Sequence, residues 1–234
     1  MLNIDEFEEL VRTRRSIRHF RPDPVDEDLL HRLLDIAHWA PSGYNLQPTH
    51  MVLVTDTALK KRLHIACMKQ AQILEAPAIV VFTGDKLVVE NNLESAFQAD
   101  RAIDAISAEY EKQLRGFIKL AFDQGPLGLG WFGKAFFVPL ARLFTPIPSI
   151  PAVEKRYWLA KQVMLSSMIF MLAATAAGLS TVPMEGFDED RVRKVLGIPS
   201  SHIVALVVPV GYAVDNSIRK SRLPVEKIIH KNGW

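Results

Sequence analysis

Two groups of cations are the residues of this chain best suited to chemistry. Arg14-Arg15-Ser16-Ile17-Arg18-His19-Phe20-Arg21 packs five basic side chains into eight positions, directly before the Pro22–Pro24 turn. Arg219-Lys220-Ser221-Arg222 repeats the pattern near the far end of the sequence. Runs of this kind are often only solvated charged surface. Here each holds a serine, Ser16 or Ser221, beside a rigid turn, a combination that suits phosphate oxygens. A phosphate dianion needs donors from several directions, and arginine supplies a planar fork of them. Such charge-assisted bonds contribute about 1.5–3 kcal/mol each, so the pattern implies a small phosphorylated ligand. A formal net charge of +2 is too small to argue for nucleic acid.

Other chemistries lack their residues. There is no H-E-x-x-H, C-x-x-C or G-x-S-x-G, and the seven histidines are scattered with none paired at ligand spacing, so no metal is expected. Cys67 is the only cysteine, which excludes an internal disulfide and points to a reducing, cytoplasmic setting. On its helix it reads as a small core residue. The acidic start, Met1 to Phe7, has neither the basic nor the apolar region of a signal peptide. Gly128-Leu129-Gly130-Trp131-Phe132-Gly133 matches the dinucleotide fingerprint by letter. No strand precedes it, no βαβ unit surrounds it, and Trp131 and Phe132 would crowd a pyrophosphate.

The elements that must position the cations follow from periodicity. Asn3-x-x-Glu6 is a capping box for a first helix, which ends at the Arg14 cluster. A second helix runs from about Asp26 to Ala40 and stops at Pro41. The loop Pro41–Pro48 is rich in turn residues and amides. Strands are expected over Thr49–Thr55, Ala78–Thr83, Leu179–Pro183 and Ile203–Val210, with helices over Thr57–Ala71, Glu94–Leu120 and Asp188–Leu196. The segment Val163–Ala177 is apolar on every face and predicts a long buried central helix, ended by Gly178. Gln162–Met184 carries no charge and is long enough to span a bilayer, but its serines, threonines and Pro183 favour a core helix. From Phe122 to Pro151, many glycines and prolines among Trp131, Phe132, Phe136, Phe137 and Phe144 predict an irregular lid or short helices. Residues 1–234 thus read as one α+β domain around a modest mixed sheet flanked by helices, with 122–151 as an aromatic insertion.

Four blocks in order make the chain recognisable: Arg14-Arg15-Ser16-Ile17-Arg18-His19-Phe20, Ala40-Pro41-Ser42-Gly43-Tyr44-Asn45-Leu46-Gln47-Pro48, Gly178-Leu179 with Pro183-Met184-Glu185-Gly186-Phe187, and Lys220-Ser221-Arg222-Leu223-Pro224. Together they resemble the FMN-dependent nitroreductase family. The resemblance implies an intertwined α+β homodimer with FMN at the subunit interface, reduced by NADH or NADPH. It implies phosphate and ribityl contacts from Arg14, Arg15, Ser16, Lys220 and Arg222, and a cation, Arg18, near the flavin N1–C2=O edge. Pro41, Ser42, Gly43 and Asn45 would reach the flavin of the other subunit. Pro183, Met184, Glu185 and Gly186 would lie along the ring, with backbone N–H near N5. Arg18, Glu185 and Gly186 are thereby the implied catalytic group, and Gln72 a further ring contact, although Lys69 stands where many relatives carry Asn. Hydride would arrive at N5, and Arg18 would stabilise the charge that spreads over N1 and C2=O. Donor and acceptor would use one face in turn, by ping-pong kinetics. The acceptor would be small and flat, such as a nitroaromatic or a quinone. Storage, sensing or degradation of FMN is the alternative function. For the insertion, the alternative to a lid is a membrane contact through 131–144.

Overall fold

The computed structural model describes residues 3–123, 129–147, 151–215, 217 and 219–234, with backbone alone at 129, 131, 132 and 152. Helix α1 (Ile4–Thr13) starts on a complete capping box: Asn3 accepts from Asp5 N–H at 2.9 Å, and Glu6 accepts from Asn3 N–H at 3.0 Å. Asp26 caps α2 (Glu27–His38), which buries Leu30, Leu33 and Ala37. A short 3-10 turn, Gly43–Asn45, leads into β1 (Thr49–Val54).

Helix α3 (Thr57–Ala66) ends earlier than its periodicity suggests, because Met68 and Lys69 both take φ of 56°. A single turn, α4 (Gln72–Glu75), and strand β2 (Ala78–Asp85) follow. The helix expected over Glu94–Leu120 is two helices, α5 (Val88–Ala102) and α6 (Ala108–Phe122). Asp104 at φ 55° breaks the chain between them, and Ser107 caps α6 by accepting from Tyr110 N–H. Of the two forms expected there, an irregular lid or short helices, Leu129–Ala141 takes the second, as a helix, α7, with Pro139 inside its last turn. A proline that late removes one hydrogen bond without breaking the turns before it. Gly125, Pro126, Gly128 and Pro148 lie outside the described residues, as do the side chains of Trp131 and Phe132.

The central helix, α8 (Pro151–Ala176), has 26 residues. By length and composition Val153–Ala176 could cross a membrane. It instead lies against the sheet and α2, with Leu159, Val163, Phe170 and Ala174 fully buried. Its burial is not complete on every face: Tyr157, Met164, Leu165 and Met168 form an exposed stripe at helical spacing. The expected strand Leu179–Pro183 shortens to β3 (Ser180–Thr181), extended by a bridge from Met184 to Val207. Asp188 caps α9 (Glu189–Leu196), Gly197 ends it at φ 67°, and β4 (His202–Gly211) closes the fold.

The sheet order is β1-β2-β4-β3, and every neighbouring pair is antiparallel. The strands thus make an antiparallel sheet in place of the expected mixed one, and one parallel bridge, Ser16 to Thr181, lies outside the strand pairs. Strand β2 is buried at all its positions, since α3 and α9 cover one face and α2 and α8 the other. A strand covered on both faces must be apolar throughout, and Ala78–Phe82 is.

Candidate functional site

The first cation cluster lies at a corner that three elements build. The segment after α1 runs extended beside β3, where Ile17 N–H donates to Thr181 O at 3.1 Å. Ile17 is buried by this pairing, while Arg18 is exposed. At the same corner α8 ends in a Schellman turn: Leu179 N–H donates to Ala174 O at 2.8 Å and Gly178 N–H to Thr175 O at 3.0 Å. Gly178 needs its φ of 75° for that turn, which a side chain would strain. Between these parts lies a cavity of about 170 Å³, lined by Thr13, Arg14, Arg15, Thr175, Gly178, Leu179 and Ser180.

Lys220 joins the corner from the far end of the chain. Its Nζ donates to Val11 O and Arg14 O, both at 2.9 Å. It therefore caps the C-terminus of α1, where carbonyls and the helix dipole favour a cation, and one of its three donors remains. Arg15 turns the same way, donating to the carbonyls of Arg12 and Thr13. Arg14 differs. Among the described residues its Nη1 is buried without a hydrogen-bond partner, and so is Thr181 Oγ1 on the adjoining strand. Burial pushes the Arg14 pKa down, and Arg222 and Arg15 push it further. Lys220 is lowered by burial and by Arg15, Arg14, Arg222 and Arg12. Five cations, Arg12, Arg14, Arg15, Lys220 and Arg222, thus act on one another here, and among the described residues no carboxylate contributes to either shift.

The turn after β3 forms a second surface. Met184 N–H donates to Val207 O at 2.9 Å, and Asp188 N–H to Ala66 O at 2.8 Å, which anchors both ends of Glu185-Gly186-Phe187. Among the described residues the N–H groups of Glu185 and Gly186 have no partner, and both residues are exposed. Gln72 is buried, and its Nε2 donates to Gln70 Oε1 at 3.0 Å. Gln70 Nε2 in turn donates to Gly186 O at 2.8 Å. Gln72 therefore stands one residue behind the turn, and Gln70, which sequence reasoning missed, touches it. A Cβ at Gly186 would come within 3.1 Å of that amide.

The Pro41–Pro48 loop lies elsewhere. Gly43 N–H donates to Gln162 Oε1 at 2.8 Å, Gln47 N–H to Ser42 Oγ at 2.8 Å, and Asn45 Nδ2 to Asp100 Oδ1 at 2.9 Å. Any side chain at Gly43 would press on Trp158, 3.2 Å away. Gln162 and Thr175 mark the loop and the cationic corner on the same helix, thirteen residues apart. That is about 20 Å of helix.

The nitroreductase family model matches residues 11–212, nearly the whole of this architecture. The chain belongs to the nitroreductase family. It is similar to a NADH dehydrogenase of Thermus thermophilus, 32% identical with 92% of this chain and 91% of the relative covered. An oxygen-insensitive NAD(P)H nitroreductase of Salmonella typhimurium is 27% identical, covering 91% and 93%. The same fold occurs in an Exiguobacterium sibiricum chain solved in complex with FMN, at TM-score 0.74 and 22% identity, covering 97% of each.

In this chain the strand register assembles one group that sequence spacing hid. His50, Asp85 and His202 come together at one end of the sheet. Positions 50, 85 and 202 are too far apart for any ligand motif, and only the pairing of β1, β2 and β4 would reveal them.

Proposed function

We propose that this chain binds FMN and passes electrons from NADH or NADPH to a small flat organic acceptor. The observation that carries the reading is Arg14: a buried guanidinium nitrogen without a partner, set among like charges in a nitroreductase fold. A phosphate there would satisfy the orphaned donor and relieve the repulsion, so the residues present fit the phosphate of FMN. Arg14, Arg15, Ser16, Lys220 and Arg222 hold that group in this reading. Bound FMN supplies a carrier that takes hydride from a nicotinamide and delivers it to the acceptor. Arg18 keeps a positive charge near the ring edge, and Pro183 to Gly186 present their backbone along its face. Gln72 and Gln70 act as positioning residues, since their amides fix Gly186 O.

A homodimer belongs to the same proposal. A loop about 20 Å from the cationic corner along α8 has to serve the flavin of a second copy, through Pro41, Ser42, Gly43 and Asn45. The exposed stripe of α8 and the exposed Ile4, Phe7 and Val11 of amphipathic α1 are apolar surfaces that such a copy would cover. Helix α7, with Phe136 and Phe137 exposed, would border the acceptor entrance.

The test is direct. Purified protein should be yellow, release FMN on denaturation, sediment as a dimer, and oxidise NADH or NADPH steadily when a nitroaromatic or quinone is added. Parallel double-reciprocal plots would support a ping-pong order. Released FAD, or a colourless protein that FMN cannot reconstitute, overturns the cofactor assignment. FMN binding without steady NAD(P)H oxidation would make the chain a flavin carrier instead of a reductase.

A further inference from the structure

The group at the sheet end has no part in the flavin reading, and its geometry calls for a ligand of its own. Asp85 pairs with His202 across β2 and β4, while His50 pairs with Thr83, two residues before Asp85 on the same face of β2. A direct cross-strand neighbour and a diagonal one therefore meet over one face. The ligand atoms of His50, Asp85 and His202 all lie within 4.8 Å of one another.

Asp85 is the unusual member. It is only 1% exposed, and it forms no ion pair among the described residues. Its oxygens accept from Leu87 N–H at 2.8 Å and Asn91 Nδ2 at 2.6 Å, both neutral donors. Lys155, which reaches the same turn, donates to Lys86 O at 3.0 Å. Buried carboxylates are ordinarily paired with a cation or bound to a metal. Here two imidazoles flank the carboxylate, and those are neutral metal ligands when deprotonated.

We propose that His50, Asp85 and His202 form a binding site for one divalent transition-metal ion, with zinc as the fitting occupant. Two imidazole nitrogens and one carboxylate oxygen form the three-ligand set that tetrahedral zinc accepts, with water in the fourth position. Tetrahedral bonds of about 2.0–2.1 Å place ligand atoms roughly 3.3 Å apart. Of the three ligands, His50 is the exposed one and the one with room to rotate toward the ion. The outer partners of such a site are also present. Leu87 N–H and Asn91 orient Asp85, and Ser201 Oγ lies 3.1 Å from His202 Nδ1. When Nδ1 carries the proton and donates to Ser201, the Nε2 lone pair is free for the metal. Hard cations such as Mg²⁺ prefer all-oxygen sets and do not suit this one.

Bound zinc would tie three strand starts and ends together. It would also steady the flavin-facing loop, because Asp85 N–H donates to Pro48 O at 2.9 Å. The metal proposal itself stands without the flavin reading, since its readouts are metal content and thermal stability.

Untagged protein with its flavin in place would be stripped by chelator and dialysed, then titrated with ZnCl₂ in a calorimeter. The expected result is one zinc per chain and a melting temperature that rises with zinc concentration, with no such response to MgCl₂. His50→Ala, an exposed position, should weaken zinc at least tenfold and abolish the thermal shift while leaving the unliganded melting temperature unchanged. Asn91→Ala, which releases Asp85, should weaken zinc by about tenfold. Wild-type protein that takes up no zinc at micromolar concentrations overturns the proposal. So does His50→Ala protein that binds zinc as tightly as wild type.

Discussion

Arg101 and Arg115 sit on α5 and α6 with Glu94 and Glu111 between them, whereas Arg14, Arg15, Lys220 and Arg222 surround the end of α1, where among the described residues no acid offsets Arg14 or Lys220. In the first region each arginine reaches both glutamates, at 2.7 to 3.2 Å. Hydrogen bonds to Glu111 and Glu94 raise the pKa of Arg101, and those to Glu94 and Glu111 raise that of Arg115. In the second region burial and like charges move Arg14 and Lys220 the opposite way. The same side chain thus does two jobs. A paired arginine fastens two helices, and carboxylates already balance its charge. A cluster of like charges carries repulsion that an incoming anion relieves.

The sharpest way to break this comparison is Arg14→Ala. It removes the buried fork, and FMN should bind about a hundredfold more weakly, given charge-assisted bonds of about 1.5–3 kcal/mol. The apoprotein should melt no lower than wild type, because a repulsive neighbour has gone. Unchanged FMN affinity in a fluorescence titration, with a lowered melting temperature, would make Arg14 a structural residue. Arg222→Ala should act less strongly, since this side chain is exposed. A loss of one to two powers of ten, toward the lower end, is expected at about 1.4 kcal/mol per power. The fold should survive, and the same titration decides it.

Glu111→Gln probes the other region. It should lower the melting temperature, because Arg101 and Arg115 lose the carboxylate they share. FMN affinity should not move. If FMN affinity falls with stability intact, the division between fastening and ligand-binding arginines fails.

How legible this division was in the sequence depends on range. The Arg14 cluster, the capping box at Asn3 and the stop at Gly178 are local, and each was readable from a few adjacent residues. The break of α3 was not, because left-handed Met68 and Lys69 carry no glycine to announce them. Nor was the split between α5 and α6. Asp104 bends there, and a four-charge network then lays two helices side by side, a contact between positions 94 and 115 that helical spacing cannot encode. Over α7, Gly133 and Pro139 left an irregular lid and short helices both open, and the structure takes the helix. The hidden group of His50, Asp85 and His202 needed strand register, and Gln70 needed the fold of the Glu185–Phe187 turn. What the sequence concealed was either a left-handed residue without a glycine to mark it or a contact made at long range.

Acid gives the smallest effect, and it separates the regions by the group that titrates. Hydrogen bonds from Arg115 and Arg101 hold the Glu94 pKa down, and those from Arg101 and Arg115 hold Glu111 down. A folded pKa below the unfolded value, about 4.3 for glutamate, gives stability that is fully present above that value. It is lost as pH falls through the lower folded value. The melting difference between wild type and Glu111→Gln should therefore stay level from neutral pH to about 5 and shrink only below about 4. The cationic corner should behave otherwise, because arginines do not titrate in this range. A phosphate monoester loses half its second charge near pH 6, so FMN affinity should weaken modestly between pH 7 and 5, in step with the ligand. Parallel pH titrations of melting and of FMN binding check both. A melting difference that already collapses by pH 6 would mean that the glutamates are not held as their partners imply. FMN affinity flat from pH 7 to 5 would mean that the corner does not sense the second phosphate charge.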